Sequence, residues 1–347
     1  MGTVGTILIA VLVFGFLIFI HEFGHYIFAR IFKVKINEFS IGMGPRLVWF
    51  VSKKTGIKYS LAMFPIGGFV AMAGENGEEG IDDPNSFDKK PAWQRFIITV
   101  AGAFVNIAFG FIAMLVLCSF INIGGTTVGE FDKPVNGVSS SEFLMVGDTI
   151  TEIDGKRVYI SDELSYEIMR RGHEPVDVRV IRGGEEILLK GVSFPTLETQ
   201  GQIVGTQDFY VFAEQKTPGL VISHAFRKSA LIVRTCFESI YDLITGRFTL
   251  AAVSGPVGIS SAIGEAANDA GVIGVVYITV LISINLGFMN LLPIPALDGG
   301  RTLTLLFEMI TKKRIPPKIE GAVNGIFLIL LLILTFVVMA KDIVSLI

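Results

Sequence analysis

The sequence is poor in residues that a disulfide-bonded or soluble metal-binding protein would use. Only two cysteines occur in 347 residues, Cys118 in an apolar run and Cys236 in an amphipathic one. That excludes a disulfide framework and a Cys-rich zinc site, and both are read as packed thiols. Histidines number four, and the net charge is only -3. No lysine- and arginine-rich tract is interleaved with aromatics, so nucleic acid is not an expected partner. Internal repeats and low-complexity tracts are absent as well. Neither lysine nor arginine precedes the first apolar run, and no small-residue cleavage pattern follows it. The run is therefore expected to be a permanent span, not a removable signal peptide.

What the chain has in abundance is apolar sequence, 51% of its residues. Four segments, 3–28, 96–121, 271–292 and 322–346, are long enough to cross a hydrocarbon core about 30 Å thick at about 1.5 Å per helical residue. The fold class expected is an α-helical multi-pass membrane protein with four transmembrane helices and an inserted β-rich domain. Basic residues concentrate between the first two spans, from Arg30 to Arg95, and between the last two, at Arg301, Lys312, Lys313, Arg314 and Lys318. By the positive-inside rule both loops are cytoplasmic, which leaves both termini and residues 122–270 outside.

The outer segment carries short strand signals. VGDTITEIDGKRV (146–158) alternates and then turns at Asp154-Gly155. SDELSYEIMRRG (161–172) has helical periodicity with Ser161 as its N-cap, and VDVRVIRGGEEILLKGVSF (176–194) reads as a hairpin about Gly183-Gly184. The run 220–244 spaces its apolar residues for an amphipathic helix on the outer membrane surface or against the insert. Four regions follow: 1–121, the first part of a membrane core; 122–215, the insert; 216–270, an amphipathic helix and linker; and 271–347, the second part of the core. Within the first cytoplasmic loop, 56–74 is apolar but broken by Pro65, Gly67 and Gly68. It is expected to be a β-hairpin dipping into the protein's interior, the only place where non-helical backbone is tolerated at membrane depth.

The chemistry lies in FLIFIHEFGHYIF, residues 16–28. His21 and His25, four residues apart on a helix, project from one face and can hold one Zn²⁺, while Glu22 beside them can take a proton from an attacking water. Each ionisable group at the centre of a span costs about 2.5 to 3.5 kcal/mol on insertion scales. Three together call for a compensating partner, and a metal is one. The other two histidines, His173 and His224, fall in the outer insert, whereas His21 lies about 27 Å along a helix running inward. A carboxylate at that depth is needed as third ligand. The third span also runs inward, and it ends in NLLPIPALDGGR, where Pro293 and Pro295 break the helix and Gly299 and Gly300 free the backbone to aim Asp298. Glu308 is the competing acid, but FEMITKKR reads as an amphipathic cytoplasmic helix that leaves it solvated.

These residues resemble the site-2 protease family of intramembrane zinc metalloproteases. The resemblance rests on HEFGH in the first span, GAFVN (102–106) in the second, Asn290 with PIPALDGGR in the third, the hairpin FPIGGFV and the segment SGPVGI (254–259). It implies that His21, His25 and Asp298 bind zinc and that Glu22 is the catalytic acid/base. Asn106 and Asn290, with Gly67 and Gly68 of the hairpin, would meet the substrate backbone. The implied reaction is hydrolysis within the membrane-spanning segment of single-span proteins such as anti-sigma factors or signal-peptide remnants. Through VGDTITEIDGKRV the insert resembles the PDZ domain of bacterial members. The run before it, SSSEFLM, departs from the family's small-residue and proline pattern, so a PDZ fold is implied more firmly than a peptide-binding groove, and two roles stay open for the insert, peptide binding or steric filtering alone.

Two other classes compete. A zinc transporter would also place histidines and acids in spans, yet the outer halves of these spans are nearly free of ionisable groups. A non-catalytic scaffold would need neither Glu22 nor matched ligands.

Overall fold

The computed structural model of the protein describes residues 2–75, 83–133, 137–199, 202–247 and 253–345. The chain divides into two compact units, one made of Met1–Ala113 with Thr235–Ile347 and the other of Met114–Arg234.

The first unit begins with α1 (Thr3–Ile31), an apolar helix without proline that stops where Lys33 turns left-handed at φ 56°. Two long strands follow, β1 (Ile36–Val51) and β2 (Lys58–Met72). The hairpin expected within 56–74 is thus a single strand whose partner lies upstream. Both strands bend, so that four segments lie side by side in the order 46–51, 58–62, 36–41 and 68–72; the register runs antiparallel in the two outer pairs and parallel between 58–62 and 36–41. Among the described residues no strand pairs with the far edge of 68–72. Helix α2 (Ala92–Phe120) starts directly after Pro91.

The second unit holds a sheet in the order β10 (Phe209–Ala213), β3 (Gly124–Phe131), β4 (Thr149–Ile153), β6 (Val176–Arg182) and β7 (Glu185–Val192), with β5 (Lys156–Arg157) paired to β4. Helix α3 (Ser161–Arg171) covers it, and β8 (Thr196–Thr199) pairs with β9 (Gln202–Gly205). The β6–β7 turn at Gly183-Gly184 has positive φ at both residues, the signature of a type I′ hairpin. Ser161 is not the N-cap. That position is Ile160, and Glu163 instead accepts the Tyr159 backbone N–H at 2.8 Å. Ile150, Ile153, Leu164, Ile168, Val178 and Val180 are fully buried between helix and sheet. Truncating one of the larger of them to alanine costs about 2 to 5 kcal/mol.

Helix α4 (Pro218–Ile244) follows. Its charged face pairs with α3, through Lys228–Asp162 at 3.0 Å and Arg234–Glu167 at 2.6 Å. Its apolar stripe, with Ile222, Phe226, Phe237 and Ile244, is exposed. Of the two expected environments, the contact with the insert is present in the Lys228 and Arg234 pairs.

The chain re-enters the first unit within α4, at Thr235, and continues there as α5 (Pro256–Leu291), which is kinked at Gly271. The span expected from 271 is therefore the second limb of a longer helix. After a turn, α6 (Asp298–Thr311) leads to α7 (Pro317–Ser345); residue 346 of the last expected span lies outside the described residues. Pro218, Pro256 and Pro317 each open a helix, where the missing N–H has no partner to lose. Gly255 offers α5 no side-chain cap, and the Asp342 carboxylate of α7 accepts the Gly255 and Gly258 N–H groups at 2.8 and 2.9 Å. Four helices, α1, α2, α5 and α7, are long and apolar enough to cross a membrane.

Candidate metal and catalytic site

Helix α1 brings His21, Glu22 and His25 to one end of a bundle where α1 packs on α2. The approach is close: a side chain at Gly24 would strike the Ala101 carbonyl, and one at Gly102 would overlap both imidazoles. The first glycine of GAFVN is thereby the room in which the two histidine rings stand.

The chain arrives at Asp298 differently from the sequence expectation. Helix α5 ends at Leu291, the backbone turns through Ala296 at φ 73°, and Asp298 is the first residue of α6. A helix N-terminus favours an anionic side chain. Gly299 and Gly300 have no positive φ. They are required for packing, because a Cβ at either would run into the carbonyls of Leu292 and Ile294. Asn324 of α7 pins the turn by accepting the Ala296 N–H at 3.1 Å.

The three ligand atoms converge. Asp298 Oδ2 lies 3.1 Å from His21 Nε2 and 3.3 Å from His25 Nε2, and the two Nε2 atoms are 3.3 Å apart. All three donors fall within 4.8 Å of one another. Their protonation can be read from their other contacts. His25 Nδ1–H donates to the Ile98 carbonyl at 2.8 Å, which leaves Nε2 with its lone pair towards the cluster. His21 Nδ1 faces the Asn106 amide at 3.4 Å, while Asn106 Oδ1 is buried with no hydrogen-bond partner. Amide O and N differ by a half-turn. With the amide turned, Oδ1 accepts from His21 Nδ1–H, and His21 Nε2 also presents a lone pair. Asp298 Oδ2 is likewise buried without a hydrogen bond. Three facing lone pairs repel unless a cation lies among them, so two imidazole nitrogens and a carboxylate oxygen fit a zinc ion and leave a coordination position open.

A cavity of about 450 Å³ opens on this cluster, lined by His21, Glu22, His25, Asp298, the strand Gly68–Met72, Glu75 and Arg301. Glu22 is buried at its wall. Gly68 lets the strand approach, since a side chain there would sit 2.9 Å from Glu22 Cγ and Ile18. The remaining expected residues are placed less uniformly. Asn106 is fully buried against His21. Asn290, half-buried in the last turn of α5, and Gly67 are not among the cavity-lining residues. Glu308 is not solvated, for it pairs with the buried Arg95 guanidinium at 2.5 Å. Sequence reasoning passed over Ile98, Glu75 and Arg301, whose roles depend on contacts between distant parts of the chain.

A profile of peptidase family M50 matches residues 9–334. A Clostridium acetobutylicum protein named "Putative zinc metalloprotease" is 34% identical over 338 residues, covering 97% of each chain. Zinc metalloprotease RasP of Geobacillus kaustophilus is 29% identical, covering 98% of each, and RasP of Shouchella clausii is 28% identical, covering 97% of this chain and 98% of its own.

Proposed function

The chain belongs to peptidase family M50 and is a zinc metalloprotease of the membrane, and from that premise we propose that it hydrolyses a peptide bond within the membrane-spanning segment of single-span proteins. One observation carries this reading: the Nε2 atoms of His21 and His25 and Oδ2 of Asp298 converge beside a cavity also lined by the strand 68–72, whose far edge pairs with no other strand among the described residues.

His21, His25 and Asp298 hold the zinc. When bound, the metal supplies a Lewis acid that acidifies an attacking water and offsets charge developing on the substrate carbonyl. Glu22 accepts the water's proton and returns it to the departing amine. Ile98 and Asn106 keep the imidazoles in the ligating tautomer.

A helical substrate hides its scissile bond behind its own hydrogen bonds, so it must unwind where it reacts. The groups so exposed need partners, because apolar surroundings provide none. The far edge of 68–72 offers amides and carbonyls in strand geometry, and the substrate adds there as another strand. On the positive-inside rule the basic loops favour a site towards the cytoplasm and residues 122–270 outside. The insert 122–215 is PDZ-like, and it either binds peptide or acts only as a steric filter against proteins with large outer domains. Anti-sigma factors and signal-peptide remnants are the substrate classes in view.

Purified Glu22→Gln should retain its zinc and lose about 10²- to 10⁴-fold in cleavage rate; undiminished turnover would remove Glu22 from the mechanism. Strand addition is tested on a synthetic single-span substrate carrying one backbone N-methyl group at successive positions. Inhibition at alternate positions is expected, and inhibition with no such alternation would defeat the strand model.

A further inference from the structure

Arg301 lies one helical turn beyond Asp298 and points back at the strand. Its Nη1 donates to Glu75 Oε1 at 2.6 Å, and its Nη2 donates to the Glu75 main-chain carbonyl at 2.8 Å. The guanidinium also rests on the Phe87 ring, 4.6 Å from its centroid. Glu75 follows closely on Met72, the last residue of β2. Arg301, Glu75 and the whole edge Gly68–Met72 line the same cavity as Asp298. One guanidinium therefore ties the end of the substrate-facing strand to the first turn of the helix that carries the third ligand.

We propose that Arg301 is a specificity-determining positioning residue: by clamping Glu75 it fixes the register of the β2 edge against Asp298, and so selects which peptide bond is cut. The inference rests on the strand-addition reading of the same cavity. At its Gly68 end the edge is held against α1 by close packing with Glu22 and Ile18. At its Met72 end a polar tie to α6 is the Arg301–Glu75 pair. Successive residues of an extended chain are about 3.3 Å apart. A slip of that order between β2 and α6 brings a neighbouring carbonyl to the reacting position. A bidentate fork that also stacks on a ring is a stiff spacer for this purpose, and lysine, a point charge on a flexible stem, is a poor substitute.

The test is the identity of the bond cut, read by mass spectrometry on full-length protein in detergent. The probe is a designed single-span polypeptide with glycine and serine in its middle third, chosen because the wild type cuts it at one bond. Arg301→Gln should yield products from the bonds on either side, Arg301→Lys a smaller admixture, and Glu75→Gln, which keeps the carbonyl acceptor, the smallest, with zinc per protein unchanged in all three. A purely structural role would slow cleavage without moving it. Variants that cut only the wild-type bond, at whatever rate, overturn the proposal. Should Arg301→Gln lose zinc or fail to fold, the decision passes to Glu75→Gln, where an unmoved bond is equally fatal. Retained activity in Glu22→Gln would instead count against the hydrolytic mechanism, and a loss of N-methyl alternation against strand addition, so the failures are separable.

Discussion

A buried amide has few choices of partner, and Asn106 shows the consequence. Fully enclosed between α2 and the metal cluster, it can serve its oxygen only through His21 Nδ1–H. It would thereby hold the ring in the tautomer whose Nε2 faces the proposed metal. The family resemblance gave this asparagine to the substrate; the contact it makes in the structure is with His21. Such supporting contacts typically contribute about 10- to 100-fold in metal affinity. Asn106→Leu is accordingly expected to lower zinc affinity by that order in chelator competition, and unaltered affinity would separate the amide from the metal. His21, Glu22 and His25 were legible because the ligand spacing is local to one helix, and Asp298 because the direction of the spans confines it to the same depth. The part played by Gly102 was not legible. An absent side chain reveals its purpose only when two rings from another helix occupy its place.

The strands β1 and β2 mark the limit of reading by element. Residues 58–72 announce a strand by alternation, but INEFSIGMGPRLVWFV is interrupted by Gly42, Gly44 and Pro45, and its pairing in two directions has no local signal. Gly42 and Gly44 adopt φ of 85° and 92°, and the bend they permit lets one strand meet its partner twice. At the crossing, Glu38 accepts two bonds from Arg46 at 2.7 Å each and one from Ser60 at 2.7 Å. The Arg46 guanidinium, followed by the Ser60 hydroxyl, outweighs burial and draws the Glu38 carboxyl down to about 2 from its ordinary 4.5. A group whose folded value is depressed stabilises fully above the unfolded value and ceases to do so below the folded one. The sheet should therefore keep its full Glu38 contribution above about pH 4.5 and lose it between there and about pH 2. Hydrogen exchange of residues 36–61 across that interval should show the loss, and Glu38→Gln should flatten the dependence. An equal dependence in the variant would place the titration elsewhere.

At the scale of the whole molecule, hydropathy located the four helices that are long and apolar enough to cross a membrane. The sequence missed how α5 extends back to Pro256 and how Asp342 caps it from α7, because both depend on a helix more than eighty residues away. The proposed orientation rests on the basic loops and is open to a direct check. A single cysteine replacing exposed Lys313 should react only with reagent supplied from the cytoplasm, and one replacing exposed Lys190 only from outside. The native thiols give little background, since Cys118 is buried. Cys236 donates to Asn285 Oδ1, and burial pushes its thiol up to about 11. Labelling of both sites from one face would refute the topology.

On the strand-addition proposal, the far edge of 68–72, unpaired among the described residues, has a consequence for which proteins would be attacked. A margin that bonds only to main chain is indifferent to residue identity, so a victim needs no consensus sequence. What discriminates is the toll for melting a helix in oil, which falls where glycine, proline or serine already weakens the coil. The catalyst then sorts its clients by fragility, not by spelling.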